Sequence, residues 1–197
     1  MGAILIAVLA IGSSSGTDPD PKRLDAIWDS AYNRINTQLD VWFDDGDFPR
    51  SITLLKGQRE LWPKDYEVAT NLGWMQENVE DNDAAIATYQ RYRMENPEDP
   101  DGALPEAQMH FKRAQFKRDP DGYNKAIALL APAVGTPAHP NVYRILASAY
   151  ERTQKFDDSI RVWKVYLGTH PGDLAAKNNL ARVEKKAAGM GTSTAAG

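Results

Sequence analysis

The chain has 197 residues, of which 42% are hydrophobic and 25% charged, with a formal net charge of −4 at neutral pH. That length suits one ordinary domain or one short repeat array, and the acidic balance argues against a nucleic-acid partner, since such binders concentrate basic residues on one face. There is no cysteine, which excludes disulfides, thiolate metal sites, a cysteine nucleophile and lipid attachment through an N-terminal cysteine.

Residues 3–11 form an unbroken apolar run, followed by a Gly/Ser-rich stretch to Thr17. The run is too short for a membrane-spanning helix, which needs about 20 residues. It matches the apolar region of a secretory signal, with Ala10 and Gly12 as small residues at a cleavage site and a mature chain starting near Ser13. No Lys or Arg lies between Met1 and the run. Export to a periplasmic or extracellular space is the expectation and a cytoplasmic location the alternative; the segment could also bring the chain close to a membrane. Three regions are expected: residues 1–21 as this segment and its linker, 22–187 as a helical repeat domain, and 188–197 as a disordered tail.

Asp20 and Pro21 read as a helix cap and first helical proline. Over 22–44, Leu24, Ile27, Trp28, Ala31, Ile35, Leu39, Trp42 and Phe43 fall at steps of three and four, which predicts one buried helical face. Gly46 breaks the chain, and a second helix is expected over 49–61, carrying Ile52, Leu54, Leu55 and Leu61 until Pro63. Asp65 caps a third to about Asn78, with Val68, Ala69, Leu72, Gly73 and Met75 inward, and a fourth runs over 84–95 with Ala85, Ile86 and Tyr89. Helices follow over 104–117, carrying Met109, Phe111, Ala114 and Phe116, and over 123–134, with Pro132 near its end. The remaining helices are 141–153, 156–167 and 174–187. In the last, Leu174, Ala175, Leu180, Ala181 and Val183 oppose a charged side, which suits the solvated end of an array.

A small residue followed by isoleucine recurs at Ser51, Ala85, Ala126 and Ser159, with spacings of 34, 41 and 33, and a large apolar residue follows each four positions later: Leu55, Tyr89, Leu130 and Trp163. Residues 98–102 account for the longer spacing. Ala69, Leu72, Gly73, Gln76, Ala85, Tyr89 and Pro97 in one unit, and Tyr143, Leu146, Ala147, Tyr150, Ser159, Trp163 and Pro171 in another, resemble the tetratricopeptide repeat. Gln76 departs from the aromatic at its position. The first unit keeps Trp42, Ser51, Leu55 and Pro63 but has Gln38-Leu39 for the leucine–small pair. The third keeps only Ala114, Ala126 and Leu130, with Arg113 and Lys117 off the pattern. The resemblance implies an all-α, right-handed α-solenoid of about four helix-turn-helix repeats with a C-terminal capping helix.

No His-Glu-x-x-His motif, phosphate-binding glycine loop or Gly-x-Ser-x-Gly elbow is present, and the acidic turns at 44–47, 80–83 and 98–101 lack the pattern of a calcium loop. No catalytic, cofactor or metal residue is therefore assigned. Among the aromatics, Trp28, Trp42, Trp163, Tyr89, Tyr143 and Tyr150 read as core.

The resemblance further implies a concave groove lined by the first helix of each pair. Its partner-binding candidates are Asn36, Asn71, Trp74, Phe111, Lys112, Arg144, Asn178 and Arg182, beside Asn33, Asp40, Thr70, Gln108 and Ser148. The asparagines could bond an extended peptide backbone. Arg144 and Arg182 could pair with carboxylates, and Trp74 and Phe111 could be apolar anchors. The lysine-and-asparagine clamp for C-terminal peptides is not reproduced as a set. The leading reading is a non-enzymatic scaffold for a protein or peptide partner, and the alternative is a structural subunit packed in a larger envelope assembly.

Overall fold

A computed structural model describes residues 20–194, with side chains to 189. The signal-like run at 3–11 and the end of the expected tail, 195–197, lie outside the described residues. Among the described residues nine α-helices follow in order: α1 (Pro21–Asp44), α2 (Phe48–Leu61), α3 (Tyr66–Asn78), α4 (Asn82–Glu95), α5 (Leu104–Gln115), α6 (Gly122–Leu130), α7 (Pro140–Arg152), α8 (Phe156–Thr169) and α9 (Leu174–Thr194). Each packs on the next in sequence, giving a right-handed α-solenoid of four helical hairpins closed by α9. Among the described residues there is no strand, and no helix is long and apolar enough to cross a membrane.

The hairpin turns share one geometry. Gly46, Glu80, Lys117 and Gln154 all take positive φ. The next residue in each case donates its N–H to the carbonyl five positions back: Asp47 to Trp42, Asp81 to Gln76, Arg118 to Arg113 and Lys155 to Tyr150. This left-handed helix ending satisfies carbonyls that the first helix would otherwise leave open. The connections back to the next first helix also repeat. Asp65 and Asp173 accept the backbone N–H of Val68 and Ala176, capping α3 and α9. A tyrosine hydroxyl donates to each of these aspartates, Tyr32 to Asp65 and Tyr166 to Asp173, and Tyr92 donates likewise to Asp99.

Counting back from the positive-φ residue shifts the third unit. Met109 then matches Leu72 and Leu146, and His110 takes the place of Gly73 and Ala147. The expected alignment through Arg113, Ala114 and Lys117 is therefore corrected. The extra length is not confined to 98–102. It divides between the connector 96–103, against 62–65 in the preceding unit, and the turn 116–121, against 79–81.

The shift has a steric reason. In the second unit a Cβ on Gly73 would lie 2.1 Å from the Tyr89 ring, so only glycine lets α4 approach. In the third unit a histidine fills that position, and the second helix supplies the glycine instead, at Gly122. A Cβ on Gly122 would lie 2.4 Å from the His110 carbonyl oxygen. His110 is buried and meets Asp119 from the longer turn at 3.3 Å; Lys125 holds the same carboxylate at 3.0 Å. Burial pushes the Asp119 carboxyl up, but bonds from Lys125 and His110 win and leave it below the usual range.

The largest core joins the last two units through Leu130, Val142, Leu146, Val162, Trp163, Tyr166 and Val183. A smaller cluster of Leu55, Leu72 and Met75 serves the first two. Gln76, in place of the expected aromatic, is also buried and accepts the Thr88 hydroxyl at 2.7 Å.

Several expectations about inward faces are corrected. Leu24, Ile27, Trp28 and Phe43 of α1 are exposed, and α1 contains no buried residue, because no helix of the described residues packs on its outer side. Leu61 and Phe116 are exposed too. On α9 the buried residues are Ala176 and Val183, while Leu174 stands in solvent. Pro132, which has no backbone N–H, ends α6 in a 3-10 turn at Ala131–Ala133. The last helix continues past the expected end near 187 to Thr194.

Candidate functional site

The first helices α3, α5 and α7 surround a cleft of about 730 Å³. From α3 come Tyr66, Thr70, Asn71, Trp74 and Glu77; from α5, Leu104, Gln108, Met109, Lys112 and Gln115; and from the approach to α7 and its first turn, His139 and Asn141. A second cleft of about 400 Å³ lies between α5, α7 and α9, lined by Phe111, Gln115, Ser148, Glu151, Arg152, Arg182 and Lys186. Gln115 borders both, so the two are consecutive along one face.

Of the eight sequence-predicted residues, the first cleft brings together Asn71, Trp74 and Lys112, and the second Phe111 and Arg182. The Trp74 ring is 46% exposed, with the exposed Phe43 ring at 5.9 Å. Phe111 is half-buried edge-on against Tyr123 at 5.2 Å, which limits the ring surface it can offer. Lys112 reaches across the cleft to Glu77 at 3.4 Å.

The other three stand elsewhere. Asn36 accepts a hydrogen bond from Gln58 at 2.9 Å, tying α1 to α2. Arg144 binds Asp173 at 3.0 Å and lies over the Tyr166 ring, tying α7 to the start of α9. Asn178 is exposed on α9 and borders neither cleft.

Electrostatics differ along the face. In the first cleft, burial and then neighbouring Glu77 push the Tyr89 hydroxyl well above its usual range, so it stays a neutral donor to Glu77. Burial pushes Tyr66 up as well. In the second cleft the Glu151 side chain is only 11% exposed beneath Arg182 and Lys186, which both bond it. Burial raises this carboxyl, yet the two cations together hold it below the usual range. The Arg152 side chain makes no hydrogen bond or ion pair among the described residues.

The acidic turns act as structural parts. Asp47 and Asp81 cap α2 and α4 through the N–H groups of Arg50 and Ala84, and Asp99 takes the Tyr92 hydroxyl. No cluster of three or more metal-ligating side chains occurs among the described residues.

Sequence reasoning missed Tyr66, Leu104, His139, Arg152 and Lys186. Tyr66 and Leu104 are the first residues of α3 and α5, and His139 ends the connector before α7. Asp101 of the 96–103 connector also lines the cleft and accepts the His139 N–H at 2.6 Å. Arg152 is the last residue of α7, and Lys186 lies in the second half of α9, beyond the positions to which the repeat pattern points. A hint for Arg152 and Lys186 was the local excess of cations toward the C-terminus.

No protein-family model matches the sequence, and no curated protein matches it. Solved structures do share the fold. One titled as the crystal structure of MamA protein aligns at TM-score 0.59 with 17% identity, over 78% of this chain and 80% of that one. MamA from Desulfovibrio magneticus RS-1, from its position 41 to its end, aligns at TM-score 0.58 with 16% identity, over 82% and 88%. A MamA labelled MSR-1 gives 0.54 and 19%, over 78% and 85%. The fold is thus of the tetratricopeptide-like kind.

Proposed function

We propose that this chain is a non-enzymatic interaction module of the tetratricopeptide repeat family that holds a segment of a protein partner on its concave face. The observation that carries the reading is Trp74, a half-exposed indole in a 730 Å³ cleft walled by three helices. Exposed aromatics in concave sites are the usual anchors of recognition. The two clefts on one face give room for an extended segment, and no acid, base and nucleophile converge in them among the described residues. A photo-crosslinking residue placed at Gln108 in the cleft, and separately at Lys56 on the opposite side, tests the reading in the native cell. A partner captured only from Gln108, and lost on Trp74→Ala, supports it; capture only from Lys56 sinks it.

One observation favours a second reading, a subunit packed permanently in a larger assembly. The outer end of the array carries an apolar trough of about 500 Å³ lined by Ile35, Trp42, Leu54 and Leu61. Crosslinking from Thr53 beside that trough, independent of Trp74, would select this reading. Export remains a proposal resting on residues 3–12, and mass spectrometry of the mature N-terminus tests it.

A further inference from the structure

The two halves of the concave face offer different chemistry. Around Trp74 the cleft is lined by Leu104 and Met109; there Glu77 pairs with Lys112, and the Asp101 carboxylate accepts the His139 backbone N–H. Beyond Gln115, Arg152, Arg182 and Lys186 stand against a single carboxylate, Glu151. That carboxylate lies underneath, 11% exposed, while Arg182 and Lys186 are 45% and 53% exposed above it. Its charge is thus already shared by two cations that still face solvent. Arg152 has no acidic partner among the described residues. The result is a cationic pocket on a chain whose net charge is −4, the kind of local field that draws and orients an anionic group.

Building on the groove reading above, we infer that the partner segment is acidic and polar-ended. It lays an apolar side chain against Trp74 and sets carboxylates against Arg152, Arg182 and Lys186. Guanidinium groups suit carboxylates because their N–H donors form a planar fork. Two exposed cations over a buried carboxylate also keep their places when a ligand arrives, so little ordering is lost on binding. The carboxylates could be side chains or a chain end, and the test separates these sources.

The full chain is titrated by fluorescence anisotropy with labelled synthetic peptides. The main probe has leucines at one end, glutamates at the other and an amidated C-terminus. A second replaces glutamate by lysine, a third has a free C-terminus without glutamates, and a single-stranded oligonucleotide is the fourth. The glutamate peptide should bind, weaken as salt screens the pocket, and lose about tenfold or more in affinity on Arg152→Glu with Lys186→Glu. The lysine peptide should gain on the same double variant. Arg152→Gln with Lys186→Gln, which adds no charge of its own, should weaken the glutamate peptide too, and circular dichroism checks that both variants fold. Binding of the free-terminus peptide alone supports the inference with the chain end as carboxylate source.

Equal binding of the glutamate and lysine peptides, or no response to charge reversal, overturns the acidic inference. If Trp74→Ala still weakens both peptides, the groove reading survives without it. Tighter binding of the oligonucleotide than of any peptide overturns the inference, and binding of no probe, with crosslinks found only outside the groove, removes both readings.

Discussion

At the scale of single residues, close approach and buried charge decide the most. Alanine is ordinarily the better helix former than glycine by about 1 kcal/mol, but at Gly73 the added carbon falls 2.1 Å from the Tyr89 ring. Overpacking should win, and Gly73→Ala should cost about 1–3 kcal/mol in urea unfolding. Gly122→Ala should cost at least as much, because there the obstacle is the His110 backbone, which cannot swing aside. Arg59 presents the opposite problem. Its side chain is 2% exposed, paired with Glu95 beside the Tyr92 ring, and its Nε and Nη1 have no partner among the described residues. Removing Glu95 leaves that buried cation unpaired, so Glu95→Gln should cost about 3 kcal/mol or more. Arg59→Met should change stability by only about 1 kcal/mol, because Glu95 keeps its bond to Arg91. Equal costs for the two variants would contradict this account. Gly73 was readable as the small residue of its repeat, whereas buried Arg59 was not, since nothing in its local sequence separates a core arginine from a surface one.

At the scale of elements, α9 depends on one aspartate. Asp173 accepts the N–H of Ala176, the hydroxyl of Tyr166 and the guanidinium of Arg144, and these bonds hold its carboxyl down to about 2. A carboxyl depressed in the folded state stabilises it fully above the unfolded value near 4, and that contribution is lost as pH falls toward 2. The docking of α9 should therefore loosen over that acid window. Asp173→Asn, which keeps a cap acceptor but cannot titrate, should remove that pH dependence, as followed by the near-ultraviolet signal of Trp163 and Tyr166. An unchanged acid transition in the variant would assign it to other carboxylates. Helix positions were largely legible, because caps such as Asp20 and Asp65 and breakers such as Gly46 and Pro63 act locally. The third unit was less so. The register is marked elsewhere by a small residue, Gly73 or Ala147, and here His110 takes that position, so the local sequence carries no such mark.

At the scale of the whole molecule, stability is uneven along the array. The largest core lies in the last two units and ends on Val183 of α9, while the first helix has no buried residue. In a solenoid each unit leans on its neighbours, and an end stripped of its cap exposes apolar surface. Truncation after Gly172 should uncover Val162 and neighbouring side chains of α8, lower the melting temperature and increase dye binding and self-association on gel filtration. Val183→Asp should act in the same direction within the full chain. A truncated chain that stays monodisperse with unchanged melting would show that α9 is an appendage.

The small-isoleucine echo and the apolar spacing by themselves determined that helices form, where most begin and end, and that they pair as stacked hairpins, since these follow from local caps, breakers and a 3.6-residue period. Only the tertiary structure decided which faces are covered, because burial depends on whether a neighbouring helix exists. The same apolar stripe that is core in α7 is at most half-buried in α1. It also decided the membership of the groove. Asn36 and Arg144 were drawn into pairs that hold helices together, and Tyr66, Leu104 and His139 stand at the ends of connectors whose path no periodicity encodes.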